Sequence, residues 1–184
     1  MTGKVTAQGL AQRNLQRERQ QRGTDFQAEI RLSWRQVPNC WRMTIESGKG
    51  QGQSSGTRPA DAITILNDVN VLTELKRTNG EAFELGFLRP NQLEGLIDFD
   101  AVIPRNFGLV FISFLNEERG IDAAFSIRLI DAIKFMKRAG RQHIKLDELS
   151  RGAVACLQLP TAWIGGHRLY DLQEVNDYYS SYRK

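Results

Sequence analysis

Between residues 58 and 78 the chain reads RPADAITILNDVNVLTELKRT, two β-type apolar runs that polar residues interrupt and a short polar break divides. The pattern predicts strands over 61–66 and 71–78, joined through Asn67-Asp68-Val69-Asn70, whose Asn and Asp side chains favour turns. With a two-residue loop on Asn67-Asp68, the numbers of facing residues sum to 135, which sets Asp61 opposite Glu74. Lys76, two residues on, shares that face. Upstream, Phe26, Ile30, Trp34 and Val37 recur at helical spacing behind Thr24, an N-cap residue type, and predict a helix over 25–36. Glu29 sits beside that apolar stripe. Residues 40–45 (CWRMTI) alternate as a strand, and the Gly/Ser/Gln run 46–57 has no apolar anchor and reads as a flexible loop.

Downstream, Pro90 opens a helix through about residue 99 with Gln92 in its first turn, and GLVFISFL over 108–115 is a strand buried on both faces. A neighbouring strand is expected over 123–127. Helices are expected over 128–139, from Asp147, and over 172–179, with a tight hairpin at Gly165-Gly166. The order gives an α/β (α+β) fold: a mixed central β-sheet flanked by helices, forming one domain over 24–184. Residues 6–23 (TAQGLAQRNLQRERQQRG) hold helix formers with little to bury, so 1–23 forms a basic arm, either a frayed helix or disordered.

Composition narrows the class. With 41% hydrophobic and 25% charged residues the chain is globular, and no apolar run nears the roughly 18 residues of a membrane span. The start, MTGKVTAQGL, lacks the apolar core of a secretory signal, so a cytoplasmic protein is expected. Cys40 and Cys156 have no CxxC spacing and read as reduced thiols rather than zinc ligands. Charge is lopsided: residues 1–58 hold ten Lys/Arg against four Asp/Glu, whereas 59–184 hold fifteen against seventeen. A polyanion such as nucleic acid suits the basic end, with Arg13, Arg17, Arg19 and Arg22 meeting phosphates; a solvated tail is the plain alternative.

The chemistry concentrates at the predicted hairpin. Two carboxylates facing each other across a ladder destabilise it, and next to a lysine they invite a divalent cation. Phosphodiester hydrolysis needs a metal to stabilise charge on the phosphate and acidify a water, and hard oxygen ligands suit Mg²⁺, with Mn²⁺ as a substitute. Asp61 and Glu74 would supply two such ligands and the Leu75 backbone carbonyl a third, with Lys76 placed to orient the attacking water; an Asp…ExK spacing also arises by chance on solvent-facing strands.

Asp61…Glu74-Leu75-Lys76 resembles the PD-(D/E)xK nuclease signature, in which Glu29 and Gln92 occupy positions that often carry an acid and a glutamine. RPADAIT, TELKRT, FELGFLRPNQLEGL, GLVFISFLN, the helix at Arg128 and HIKLDEL are, in order and spacing, similar to the RecU-type Holliday-junction resolvases over about residues 29–149. The resemblance implies a restriction-endonuclease-like core, metal ligation by Asp61 and Glu74, catalysis by Lys76 and support from Glu29 and Gln92. It further implies a homodimer that nicks opposed strands of branched DNA, a recombinase partner, and residence on the nucleoid. Arg58, Arg77 and Arg89 are then expected on the DNA side, the stretch from Arg77 to Arg89 corresponding to the family's DNA-engaging stalk. Two positions depart from the pattern: Pro59 stands for a usual threonine, and Asn91-Gln92 for His-Gln.

Overall fold

The computed structural model describes residues 7–45 and 58–182. In chain order these form α1 (Ala7–Trp34), β1 (Trp41–Thr44), β2 (Ala62–Ile65), β3 (Asn70–Thr78), β4 (Ala82–Glu84), α2 (Pro90–Val102), β5 (Asn106–Asn116), β6 (Ile121–Arg128) and α3 (Leu129–Arg138). There follow β7 (His143–Lys145), α4 (Leu146–Ser150), β8 (Cys156–Gln158), β9 (Thr161–Ile164), β10 (His167–Tyr170) and α5 (Val175–Ser180). Six strands make the main sheet in the order β1-β2-β3-β5-β6-β8. Only the β3–β5 pair within it is parallel, reached by the crossover through α2, so the sheet is mixed as the element order predicts.

The alternation of side chains along β3 and β5 divides the core between the two faces. Val71, Leu75, Leu109 and Phe111 pack with Phe26, Ile30 and Trp34 of α1, with Tyr170 of β10 and with Val175 and Tyr179 of α5. On the other face, Leu72, Val110, Ile112 and Phe114 pack with Leu96 of α2 and with Leu129, Ala132 and Met136 of α3. The first nine residues of β5 are all buried, as befits a strand covered on both sides. The β9–β10 hairpin turns on Gly165 and Gly166, whose φ values of 59° and 78° demand glycine-like freedom at both positions.

The helix start departs from expectation. Thr24 caps nothing: α1 passes through it, and its hydroxyl donates to the Gln20 carbonyl at 3.0 Å. The stripe of Phe26, Ile30 and Trp34, buried against the sheet, supplies a nucleus, and the Gln/Arg-rich residues before it are helix formers that extend it, a lone Gly23 being too weak a break to stop propagation. The expected flexible loop over 46–57 lies outside the described residues.

α2 is held against both the sheet and the segment that enters β2. Asn91 donates to the Arg58 carbonyl, and a Cβ on Gly95 would come within 2.5 Å of Pro59 Cβ. At its other end Asp100 accepts from Arg128 Nε at 2.8 Å and from Gly108 N–H at 3.2 Å. This buried ion pair fixes the helix that carries Gln92.

Candidate active site

Thr73 faces Ala62 and Asn70 faces Ile65, the register that a two-residue loop dictates. The loop closes with Leu66 N–H on the Val69 carbonyl at 3.0 Å, and Asp61 N–H donates to the Thr73 carbonyl at 3.0 Å. Asp61 therefore sits at the mouth of β2, one step beyond the last paired residue, level with Glu74. From Glu74 to Thr78, β3 pairs with β5 alone among the described strands, and its other edge opens a notch.

Each side chain at that notch is placed by strand parity. Glu74 and Lys76 point to the α2 face, where Glu74 Oε1 accepts from Lys76 Nζ at 2.7 Å and from Gln92 Nε2 at 2.6 Å. Gln92 Oε1 in turn accepts from Arg89 N–H at 2.9 Å and lies 3.5 Å from Lys76 Nζ, so the first turn of α2 fixes the amide. Glu74 is 2% exposed, and its Oε2 is buried without a hydrogen-bond partner among the described residues. A buried carboxylate oxygen left unmatched is costly, and a cation is the partner that would satisfy it.

Asp61, 3% exposed, lies across the Leu75 backbone, its Oδ2 accepting from Leu75 N–H at 2.9 Å. Its Oδ1 accepts from Gln27 Nε2 at 3.1 Å and from the Arg58 guanidinium. In a strand, N–H and C=O of one residue point to the same side, so the Leu75 carbonyl is on this open edge as well. Among the described residues no three His, Cys, Asp or Glu side chains converge as a metal cluster. The available donor set is two carboxylates and a carbonyl, all hard oxygens, and with the orphan Oε2 it fits Mg²⁺ or Mn²⁺ once Arg58 yields Asp61 Oδ1.

Two expected site residues, Arg77 and Glu29, pair with each other. Arg77 follows Lys76 and so points to the opposite face, where its side chain is 2% exposed beneath α1, with its guanidinium 4.8 Å from the Phe26 ring centre. It donates to Glu29, to Tyr170 Oη at 2.7 Å and to Ser113 Oγ at 3.1 Å. Burial, the largest influence, would lower its pKa, but the Glu29 and Tyr170 contacts leave it raised. Burial thus removes Arg77 from any DNA-facing surface, and Glu29 is its ion-pair partner. Glu29→Gln is accordingly expected to lower stability by about 1–3 kcal/mol through loss of a charged partner to a buried guanidinium. Thermal melts of the variant beside wild type read the effect.

Of the other arginines, Arg17 and Arg19 are exposed on α1, Arg22 is half-buried, and the Arg13 side chain lies outside the described residues. Arg89 is exposed at the start of α2. Arg58 pairs with Asp61 and reaches the Ile45 carbonyl at 3.3 Å. Gln27 and Tyr170 are contacts that the sequence did not announce: one is a polar residue in a polar helix stretch, the other arrives from a hairpin late in the chain.

No family model matches this chain, and none of the curated proteins does. Among solved structures, the Holliday junction resolvase Hjc of the archaeal hyperthermophile Archaeoglobus fulgidus is similar at a TM-score of 0.44 and 12% identity, over 68% of this chain and 89% of that one. A likeness at that level assigns no activity.

Proposed function

We propose that the chain is a Mg²⁺-dependent DNA endonuclease with a restriction-endonuclease-like core, one that resolves four-way junctions by paired symmetric nicks as the RecU-type resemblance implies. The observation that carries this reading is the buried, unmatched Oε2 of Glu74, a side chain whose Oε1 is held by Lys76 and Gln92 at an open strand edge level with Asp61. Asp61, Glu74 and the Leu75 carbonyl would hold the metal, which when bound offsets charge on the scissile phosphate and lowers the pKa of a water.

The chain's own groups do the rest. Leu75 N–H fixes the Asp61 carboxylate, and Gln92 fixes Glu74 Oε1, so both ligands are set before substrate arrives. Lys76, about a fifth exposed, keeps its ammonium beside Glu74 and can offer a donor to a water or phosphate oxygen at the notch. Two opposed nicks need two such sites, hence a homodimer matching the symmetry of the junction, acting on nucleoid DNA with a recombinase as partner.

A substrate panel tests the proposal: a labelled four-way junction, a matched linear duplex and a single strand, each with Mg²⁺. Paired nicks on the junction alone are expected. Cutting of the linear duplex would remove junction selectivity from the account, and binding without cleavage would remove the enzyme.

A further inference from the structure

Beside Asp61, on the α1 side of the sheet, lies a cleft of about 160 Å³ lined by Thr24, Gln27, Arg31, Arg42, Thr44 and Asp61 among others. Its geometry follows from two periodicities. Thr24, Gln27 and Arg31 are three to four residues apart and share one face of α1. Arg42 pairs with Thr64 and Thr44 with Ala62, so both point to that same side of β1, toward the helix.

The cleft brings two guanidinium groups together, and among the described residues neither is paired with an acid. Arg31 and Arg42 form no salt bridge among the described residues. Arg42 donates one terminal nitrogen to Thr44 Oγ1 at 3.1 Å, while its Nε is buried with no partner among the described residues. Burial first, and then the Arg31 charge, push the Arg42 pKa down. Asp61 lines the cleft, but its oxygens already accept from Leu75 N–H, Gln27 and Arg58. Two crowded cations with spare donors call for an anion, and a guanidinium fork matches phosphate oxygens.

We propose that this cleft seats a backbone phosphate of the bound DNA strand, adjacent to the phosphate at Asp61, with Arg42 as its principal donor and Arg31 at the rim. The inference rests on the nuclease reading and extends it: one strand would be gripped at two successive points, fixing which phosphate reaches the carboxylates.

The test is binding in EDTA, without cleavage, to junctions carrying a single neutral methylphosphonate at each position near the cut, for wild type, Arg42→Gln, Arg42→Lys and Arg31→Gln. Arg138→Gln, on the exposed end of α3 across the sheet, is the control. In wild type one methylphosphonate next to the cut position should weaken binding about tenfold, the loss of one charged contact. Arg42→Gln should be blind to that substitution, and its slope of log affinity against log salt should fall by about 0.9, the loss of one neutralised phosphate, with a smaller fall for Arg31→Gln. Arg42→Lys should keep the slope while losing part of the affinity.

A folded Arg42→Gln with the wild-type slope and methylphosphonate profile would overturn the proposal. Inorganic phosphate that raises the wild-type melting temperature as much as the junction does would assign the cleft to free phosphate and overturn the DNA seat. A wild type that shows the expected profile yet never cuts with Mg²⁺ would end the nuclease reading and leave the phosphate seat standing; one that binds no DNA would end both.

Discussion

Glu74→Gln is expected to slow strand cleavage about a thousandfold or more, the loss of roughly 4 kcal/mol of transition-state stabilisation, while junction binding in EDTA persists. The substitution is isosteric and keeps an oxygen for Lys76 and Gln92, which contact only Oε1 in the wild type. What it removes is the negative charge behind the buried, unmatched Oε2. Because that oxygen makes no hydrogen bond within the described protein, its loss costs the fold little, and Lys76 is exposed enough to turn toward water. The variant should melt within a few degrees of wild type. Cleavage near the wild-type rate by a folded Glu74→Gln would mean that the orphan oxygen is a tolerated flaw and not a ligand.

The largest effect on stability should come from Gly108→Ala. A Cβ there would lie 2.1 Å from the Leu96 carbonyl oxygen and 2.7 Å from its carbon, backbone atoms that no rotamer change can move. To admit it α2 must lift off β5, which also strains the bond from Gly108 N–H to Asp100 and the Asp100–Arg128 pair. Overpacking of flexible side chains costs about 1–3 kcal/mol; a clash with helix backbone should cost about 3 kcal/mol or more, a melting temperature lower by roughly 10 °C. Since α2 carries Gln92, Glu74 would lose its fixing partner as well. Thermal melts decide it: a Gly108→Ala variant as stable as wild type would show that the close approach of helix and strand is not required.

Much of the candidate site was legible because it depends on local rules. The Asn67-Asp68 turn and period-two alternation set the β2–β3 register, and with it the nearness of Asp61 to Glu74. The central strand β5 announced itself by an unbroken apolar run. Arg77 was misplaced although the same parity could have placed it: once Glu74 and Lys76 share a face, residue 77 cannot. Glu29 is a different case. Helical spacing tells which side of α1 is buried but not which face of the sheet it covers, and that tertiary choice sends Glu29 to Arg77 and Tyr170. Three-residue strands such as β4, β7 and β8 are too short to show a period at all. The two departures from the RecU-type pattern also gain a physical setting. Pro59 packs on Gly95 and Asn91 bonds the Arg58 carbonyl, so both join α2 to the turn that presents Asp61.

If Asp61 and Glu74 form a metal-dependent nuclease site, neither the metal nor the aspartate can be spared. Strand cleavage of a labelled four-way junction across a Mg²⁺ titration, for wild type and Asp61→Asn with EDTA as the baseline, measures both requirements at once. Paired nicks are expected to emerge with Mg²⁺, vanish in EDTA and be absent from a folded, junction-binding Asp61→Asn. Cleavage that persists in EDTA, or an Asp61→Asn that cuts as wild type does, would contradict the assignment.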